Sequence, residues 1–412
     1  MTVEQLYTLT NTIVGEVLGE TDLVTEDLSK LVDIGSAIFD ASKVDNYVKS
    51  LMDQVGKMYF DDRIYKGRGA SVLRDAWEFG SVLEKIHVEM PEAAENESWE
   101  LVDGNSYDPN VFYKPTVTAK FFNNKVTFEV PISLTDKQVK EAFQNVAQYN
   151  RFVTSIMNAV DKAMSLRIER LVMSTINNFI GETLYDEFNA GAYGDATGVR
   201  AINLLYRYNH EVQDPTAADY VALTADKALT DKNFYKFASK EMGLTEDRLA
   251  SISKIYNIGG YDRFTPKELL HVILLSDFVK GSEVYLEADT FHNEFVSLPK
   301  GEVVPFWQGS GQDYGFESVS AINIKTASGK SIELSGILGV MFDHDAVMVC
   351  NEDRRTTANY NAKAEFTNYF NKFDCSYYND LNENFVVFYI ADETAGDEGD
   401  LTPEDPDAPA EG

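Results

Sequence analysis

Between Pro131 and Gly181 the chain carries no glycine and no proline. These are the two residues that interrupt helices, one through backbone freedom and the other through its missing N–H. Thr135 and Gln138 have the spacing of a capping box, which satisfies two leftover N–H groups at a helix start. Gly181 is a natural stop. Apolar residues recur at Val139, Phe143, Val146, Val153, Ile156, Val160, Met164, Ile168, Leu171 and Ile176. Steps of three, four or their sums describe one stripe along a rod, with Phe143, Val146, Ile156, Val160 and Leu171 in its core. A helix from Thr135 to Ile180 would be about 70 Å long, longer than an isolated compact domain is wide. Part of it is therefore expected to lie against other segments or other subunits. The stripe lacks a strict heptad, which favours a spine under a sheet over a coiled coil.

The 412 residues suffice for two or three compact units. A hydrophobic content of 44% supports real cores, and the net charge of −31 argues against an exposed surface that grips nucleic acid or anionic membrane. Cys350 and Cys375 form no C-x-x-C pattern, which suits a reducing compartment and gives no disulfide framework. The amino terminus has no apolar signal core. The apolar runs "LLHVILL" and "FVVFYIA" are too short to span a bilayer.

Residues 1–75 read as an arm. "QLYTLTNTIVGEVLG" and "DNYVKSLMDQVGKMYF" are amphipathic helical stretches, and "DLSKLVDIGSAIFDAS" between them has glycine and serine breaks. No large core is visible there, so the arm is expected to pack on something else. Its end concentrates Arg63, Lys66, Arg68 and Arg74, either a solvated loop or a contact with an acidic neighbour. Residues 76–132 read as two extended segments about the turn "DGNSYDPN", a long hairpin. Glu84 to Asp108 holds eight acids and one lysine, whereas Asn110 to Phe128 holds Lys114, Lys120 and Lys125 and no acid. A protruding two-stranded arm is marginally stable alone, so a partner is expected to hold it.

After a glycine-rich break, "VRAINLLYRYNHEV", "DKNFYKFASKEMG" and "TEDRLASISKIYN" read as short helices. "KELLHVILLSDFV" reads as a buried strand and "AINIKTASGKSIELSG" as a hairpin pairing Ile322 and Ile324 with Ile332 and Leu334. The stretch 196–344 is a mixed α+β unit. A short strand, a turn at "NYNAK", an aromatic strand over Phe366 to Cys375 and a last strand over Phe385 to Ile390 follow. From Asp392 the chain has nine acids, three prolines and no base, the composition of a disordered tail. No internal repeat is present.

The search for catalytic chemistry is nearly empty. His87, His210, His271, His292 and His344 include no pair at metal-ligand spacing. His271, inside an apolar strand, reads as a core histidine with one satisfied nitrogen. His344 stands between Asp343 and Asp345, but sequence neighbours on a strand point to opposite faces. No nucleophile elbow or P-loop is present. "GRGASV" fails as a dinucleotide loop, and "DGNSYDPNVFYK" puts Tyr107, Asp108 and Lys114 where a calcium loop needs other residues. The aromatic strand suits core or interface better than a sugar groove. No catalytic residue, metal ligand or cofactor is assigned.

The order of arm, hairpin, spine helix, mixed unit and returning strands resembles the major capsid protein of tailed phages, whose fold is shared with encapsulin shells and the herpesvirus capsid floor. The residues carrying the resemblance are similar to a group typical of phages of low-GC Gram-positive hosts. They are "DLSKLVDIG" in the arm, "VTFEVPISLTDKQVKEAF" into the spine and "INLLYRYN" after it. "SEVYLEADTFHNEFVSLP" with "VPFWQGSG" follows, then "GVMFDHDAVMV" with "RRTTANYNAKAEFTNYF".

The resemblance implies an α+β capsid fold and a domain map. Residues 1–75 would be the N-terminal arm and 76–132 the E-loop. The spine of 133–195 and the strands of 345–392 would form the peripheral domain, 196–344 the axial domain, and 393–412 an acidic tail. It implies a structural protein of the virion, assembled in the host cytoplasm. Hexamers and pentamers would build an icosahedral head around double-stranded DNA, with a portal. The short arm implies a separate scaffolding protein. No membrane is implied. The candidates for inter-subunit contact are Arg63, Arg68, Arg74, Glu92, Trp99, Lys114, Lys120, Lys125, Arg354 and Arg355. The acidity suits either solubility or an inner wall that does not arrest DNA. Two other functions remain open from sequence: an encapsulin-type nanocompartment subunit, and an acidic carbohydrate-active enzyme using two carboxylates.

Overall fold

The computed structural model describes residues 3–19, 30–40, 43, 46–47, 49–51, 72–74, 83–144, 146–188, 193–213, 220–287, 298–307, 322–325 and 331–393. The acidic tail, apart from Glu393, and the arm's Arg63 and Arg68 lie outside them.

Two helices of the arm are described, α1 (Val3–Leu18) and α2 (Leu31–Asp40). The sequence suggested a break in α2, yet the helix runs through Gly35. A Cβ there would stand 2.7 Å from that of Phe143, so the glycine lets the two backbones approach. The arm also finds its partner inside its own chain. Leu9, Ile13, Ile34, Ile38, Tyr47 and Leu51 share one core with Tyr149 and Val153. Tyr149 Oη hydrogen-bonds both Thr10 Oγ1, at 3.2 Å, and the Tyr47 hydroxyl.

The capping box forms as expected. Gln138 N donates to Thr135 Oγ1 at 3.3 Å, and Thr135 N donates to Gln138 Oε1 at 3.1 Å. The single rod does not. Helix α3 (Asp136–Ala142) ends at Phe143, and α4 (Val146–Phe188) begins after it. Phe143 leaves the helix and packs between Tyr47 and Tyr149, with ring centroids 5.3 and 5.2 Å away. That aromatic contact replaces a turn of helix. Val146 and Leu171 are half-buried, while Ile156 and Val160 are buried. With 43 residues, α4 is about 65 Å long. It also runs through Gly181, where a Cβ would collide with Ile324 Cδ1. The glycine admits a neighbour and does not end the helix.

Thirteen strands are described: β1 (Leu73–Arg74), β2 (Leu83–Val88), β3 (Val117–Phe122), β4 (Lys125–Thr135), β5 (Ala201–Asn203), β6 (Leu270–Leu275), β7 (Glu302–Val304), β8 (Ile322–Lys325), β9 (Ser331–Leu334), β10 (Ile337–Asp343), β11 (Val347–Asn361), β12 (Phe366–Asn379) and β13 (Phe385–Tyr389). One sheet has the order β1-β11-β12-β4 and another the order β5-β13-β10-β6-β7. Helix α4 lies against strands of both, and against β8. The architecture is α+β.

Four further readings change. β11 is a long strand, because its far end is carried by β12 through Asn361↔Phe366. β13 pairs with β10 and β5, so the last strand joins the sheet of the middle unit. The two helices expected across Gly243 are one, α5 (Lys232–Leu249), with no atom near enough to the glycine to force a break. "VRAINLLYRYNHEV" supplies β5 before its helical turns. The β8–β9 hairpin has the expected pairs, Ile322↔Leu334 and Ile324↔Ile332. Asp392 Oδ1 accepts from Ala225 N and Glu393 meets His210, both at 2.7 Å, so Glu393, assigned to the tail by sequence, touches the body.

The cysteines lie on β11 and β12 in the offset pairs Cys350↔Ser376 and Asn351↔Cys375. Successive residues of a strand face opposite sides, so the two thiols are buried on different faces. Burial pushes the Cys375 thiol up to about 12.

Candidate assembly surface

β2 and β3 pair over six residues, from Leu83↔Phe122 to Val88↔Val117, and Glu89 N donates to Thr116 O beyond them. The hairpin is therefore shorter than the sequence suggests. The return limb splits at Asn123–Asn124, and β4 leaves to pair with β12. Between the strands, 89–116 is an open loop whose one short helical turn is Glu97–Trp99. Every described side chain from Val88 to Val117 is exposed. These include Met90, Leu101, Val102, Phe112, Tyr113 and Trp99, the last 96% exposed. So many large, fully exposed apolar side chains on one loop suit a surface that a partner covers.

The root of this loop is clamped to its own subunit. One face of the ribbon carries Ile86, Val88, Val117 and Phe121, all exposed. The other carries Lys85, Lys120 and Phe122 and turns to the body. Lys85 Nζ reaches Asp380 Oδ2 at 3.0 Å, Glu383 Oε1 at 3.4 Å and Asp345 O at 2.6 Å, while Lys120 Nζ reaches Asp380 Oδ1 at 3.0 Å. Phe122 stacks on Tyr378 with centroids 4.5 Å apart. Arg263 completes the network, 3.1 Å from Glu383 Oε1, and His87 meets Tyr261 edge-on at 4.4 Å. Burial opposes the charge on Asp380, but the two lysines outweigh it and hold its carboxyl below the ordinary value. Burial wins at Glu383, whose carboxyl is raised despite Lys85 and Arg263.

Three of the candidate contact residues, Glu92, Trp99 and Lys114, lie together on the exposed loop. Lys120 serves the clamp. Lys125 pairs with Glu352 at 2.7 Å, and Arg355 pairs with Asp374. Arg354 is half-buried near Asp161, whose carboxyl is raised by burial against the pull of that arginine. Arg74 has its backbone in β1. Sequence reasoning missed Asp380, Glu383, Tyr378 and Arg263. Asp380 stands 295 residues from Lys85 and 260 from Lys120, and no local pattern marks a pairing of that separation.

The described residues hold no catalytic constellation. Asp343 Oδ2 accepts from Thr265 Oγ1 at 2.7 Å, and His344 Nδ1 instead meets His271 Nε2 at 2.8 Å. No group of three or more His, Cys, Asp or Glu side chains that could hold a metal is found among them. An open cleft of about 730 Å³ is lined by Glu187, Arg207, Glu211, Arg248 and Tyr256. Its Arg207 is already bridged to Glu211 and Glu241, each at 2.8 Å. No described helix is long and apolar enough to cross a membrane.

A comparison with curated proteins finds no match. Among solved structures the chain is similar to the capsid of Staphylococcus phage Andhra, with 9% identity over 77% of this chain and 82% of that one and a TM-score of 0.45. It is also similar to a chain in a structure of native bacteriophage P68, with 11% identity, coverages of 79% and 85% and a TM-score of 0.45. A third similarity is to the bacteriophage PhiM1 mature capsid, with 8% identity, coverages of 80% and 88% and a TM-score of 0.41. The model of the family described as Phi29-like phage major capsid protein matches residues 10–389, nearly the whole chain. The chain therefore belongs to the Phi29-like phage major capsid proteins, structural proteins that associate with their own copies in the shell of the virion.

Proposed function

We propose that the loop 89–116 is the element by which each subunit grips the next. The observation that carries this reading is the unbroken exposure of its apolar side chains above a root that is firmly held. A clamped root and an uncovered tip suit a contact made away from the subunit's own body. Heterologous contacts of that kind generate closed rings and lattices. In the same reading residues 76–132 are the E-loop and 1–75 the arm. Residues 133–195 and 345–392 form the peripheral domain, and 196–344 the axial domain to which β13 lends a strand. Hexamers and pentamers close an icosahedral head around double-stranded DNA, assembled in the host cytoplasm with a separate scaffolding protein and a portal.

The test replaces residues 91–114 with a short Gly-Ser turn. The expected result is a subunit with unchanged thermal unfolding that forms no particles in electron micrographs. Particles of normal size and yield would overturn the reading.

A further inference from the structure

The four-stranded sheet has two outer edges of unequal character, and its hydrogen-bond parity distinguishes them. Beyond the two ends of the β4–β12 ladder, Tyr377 N donates to Asn124 O at 3.1 Å and Asp136 N donates to Glu365 O at 3.3 Å. Even-numbered residues of β4 therefore bond to odd-numbered residues of β12, in a register without shifts. Pro131, opposite Phe370, is odd-numbered, so its missing N–H faces away from the sheet. Proline at that position blunts an edge.

The opposite edge has no proline, and its one register shift lies between Asn351 and Arg354, ahead of residues 356–361. Phe370 turns its N–H and C=O towards β11, where it meets Thr357. From Arg354 onward, past the register shift, odd-numbered residues of β11 therefore bond to β12, and Thr356 and Ala358 turn their N–H and C=O outward. On that side the described neighbour is β1, which covers Val349 and Cys350. Residues 356–361 read TTANYN, without charge, glycine or proline, and from Thr357 onward they are exposed.

The loop supplies a strand of matching kind. Its outgoing limb carries Glu89, Glu92, Glu95, Glu97 and Glu100, but the return stretch Asn110–Tyr113 is uncharged. Val111, Phe112 and Tyr113 favour extended structure; their side chains are exposed and no described strand includes them. A limb of about 14 residues reaches roughly 45 Å when extended, far enough to cross to another molecule.

We propose that the outer edge of β11 at Thr356–Ala358 is a β-augmentation site, filled by Val111–Tyr113 from the loop of a second copy of this chain. Main-chain hydrogen bonds supply the attachment and alternate side chains the selectivity. The inference rests on the loop being the gripping element and names the surface it grips.

Ala358→Pro removes one outward N–H and no bond to β12. It should leave the subunit folded, with an unchanged melting temperature, and lower particle yield about tenfold or more, the effect of ~1.4 kcal/mol per contact. Phe112→Pro in the donor should act alike. In unaltered protein, hydrogen exchange at the Thr356 and Ala358 amides should be fast in free subunits and slow in particles, and this comparison stands even where Ala358→Pro fails to fold. Equal exchange in both forms overturns the inference. So does protection that persists in particles of the Phe112→Pro variant, since another segment would then fill the edge. If loop replacement blocks assembly while Ala358→Pro assembles normally, the gripping loop stands and its β11 site falls.

Discussion

Lys120 Nζ lies 3.0 Å from Asp380 Oδ1, and this contact ties the root of the exposed loop to a turn 260 residues further along the chain. Asp380 is only 3% exposed and takes Lys85 on its other oxygen. Removing the carboxylate leaves two ammonium groups facing each other at a partly buried site. Asp380→Ala should cost about 3 kcal/mol, read as a lower denaturation midpoint. The root strands should also become sensitive to protease in free subunits, whereas a merely global loss of stability would expose all strands together.

The same carboxylate sets an acid limit. Its folded-state value is depressed, so its stabilisation is present above the unfolded value near ~4 and is lost as pH falls through the lower folded value. Glu383 has the opposite sign: its protonation relieves a burial cost as pH falls through its raised value. The clamp should therefore hold at pH 5 and loosen only below about pH 4. Hydrogen exchange at Lys85 and Lys120 across that range checks the expectation, and loosening by pH 6 would contradict it.

Gly181 predicts a rescue. Placing Val there drives a branched side chain into Ile324, and overpacking of this kind costs about 1–3 kcal/mol. Thermal unfolding should show the loss for Gly181→Val. The double variant Gly181→Val, Ile324→Ala should recover part of it, which a loss through helix propensity alone would not allow.

Tyr149 holds the arm through its hydroxyl, which meets both Thr10 and Tyr47. Tyr149→Phe keeps the ring packing and strips a buried partner from Tyr47, at a cost of about 1–3 kcal/mol. Amides of α1 should exchange faster in that variant, with the β10–β13 pairing unaffected.

Sequence showed the rod's start, its stripe and the β8–β9 register, because capping and periodicity are local signals. Ile156 and Val160 are buried as the stripe implies, and the order of elements pointed to the family. Gly35, Gly181 and Gly243 misled, since a helical glycine can mark close packing as well as an end, and only the neighbour distinguishes them. Phe143 likewise continued the period but left the helix for two tyrosines distant in sequence. The clamp was illegible for the same reason: Lys85, Lys120, Asp380 and Glu383 meet only after the chain has folded. The exposed loop was half legible, its polarity visible and its root invisible.

The placement of Cys350 and Cys375 on opposite faces of one sheet, each sealed from solvent, makes the described shell surface chemically silent towards maleimides and other sulfur-seeking reagents. A single cysteine introduced at an exposed loop position such as Ser98 would give each subunit one unique handle. Repeated across a closed lattice, it would make the particle a scaffold for regularly spaced dyes, metals or antigens.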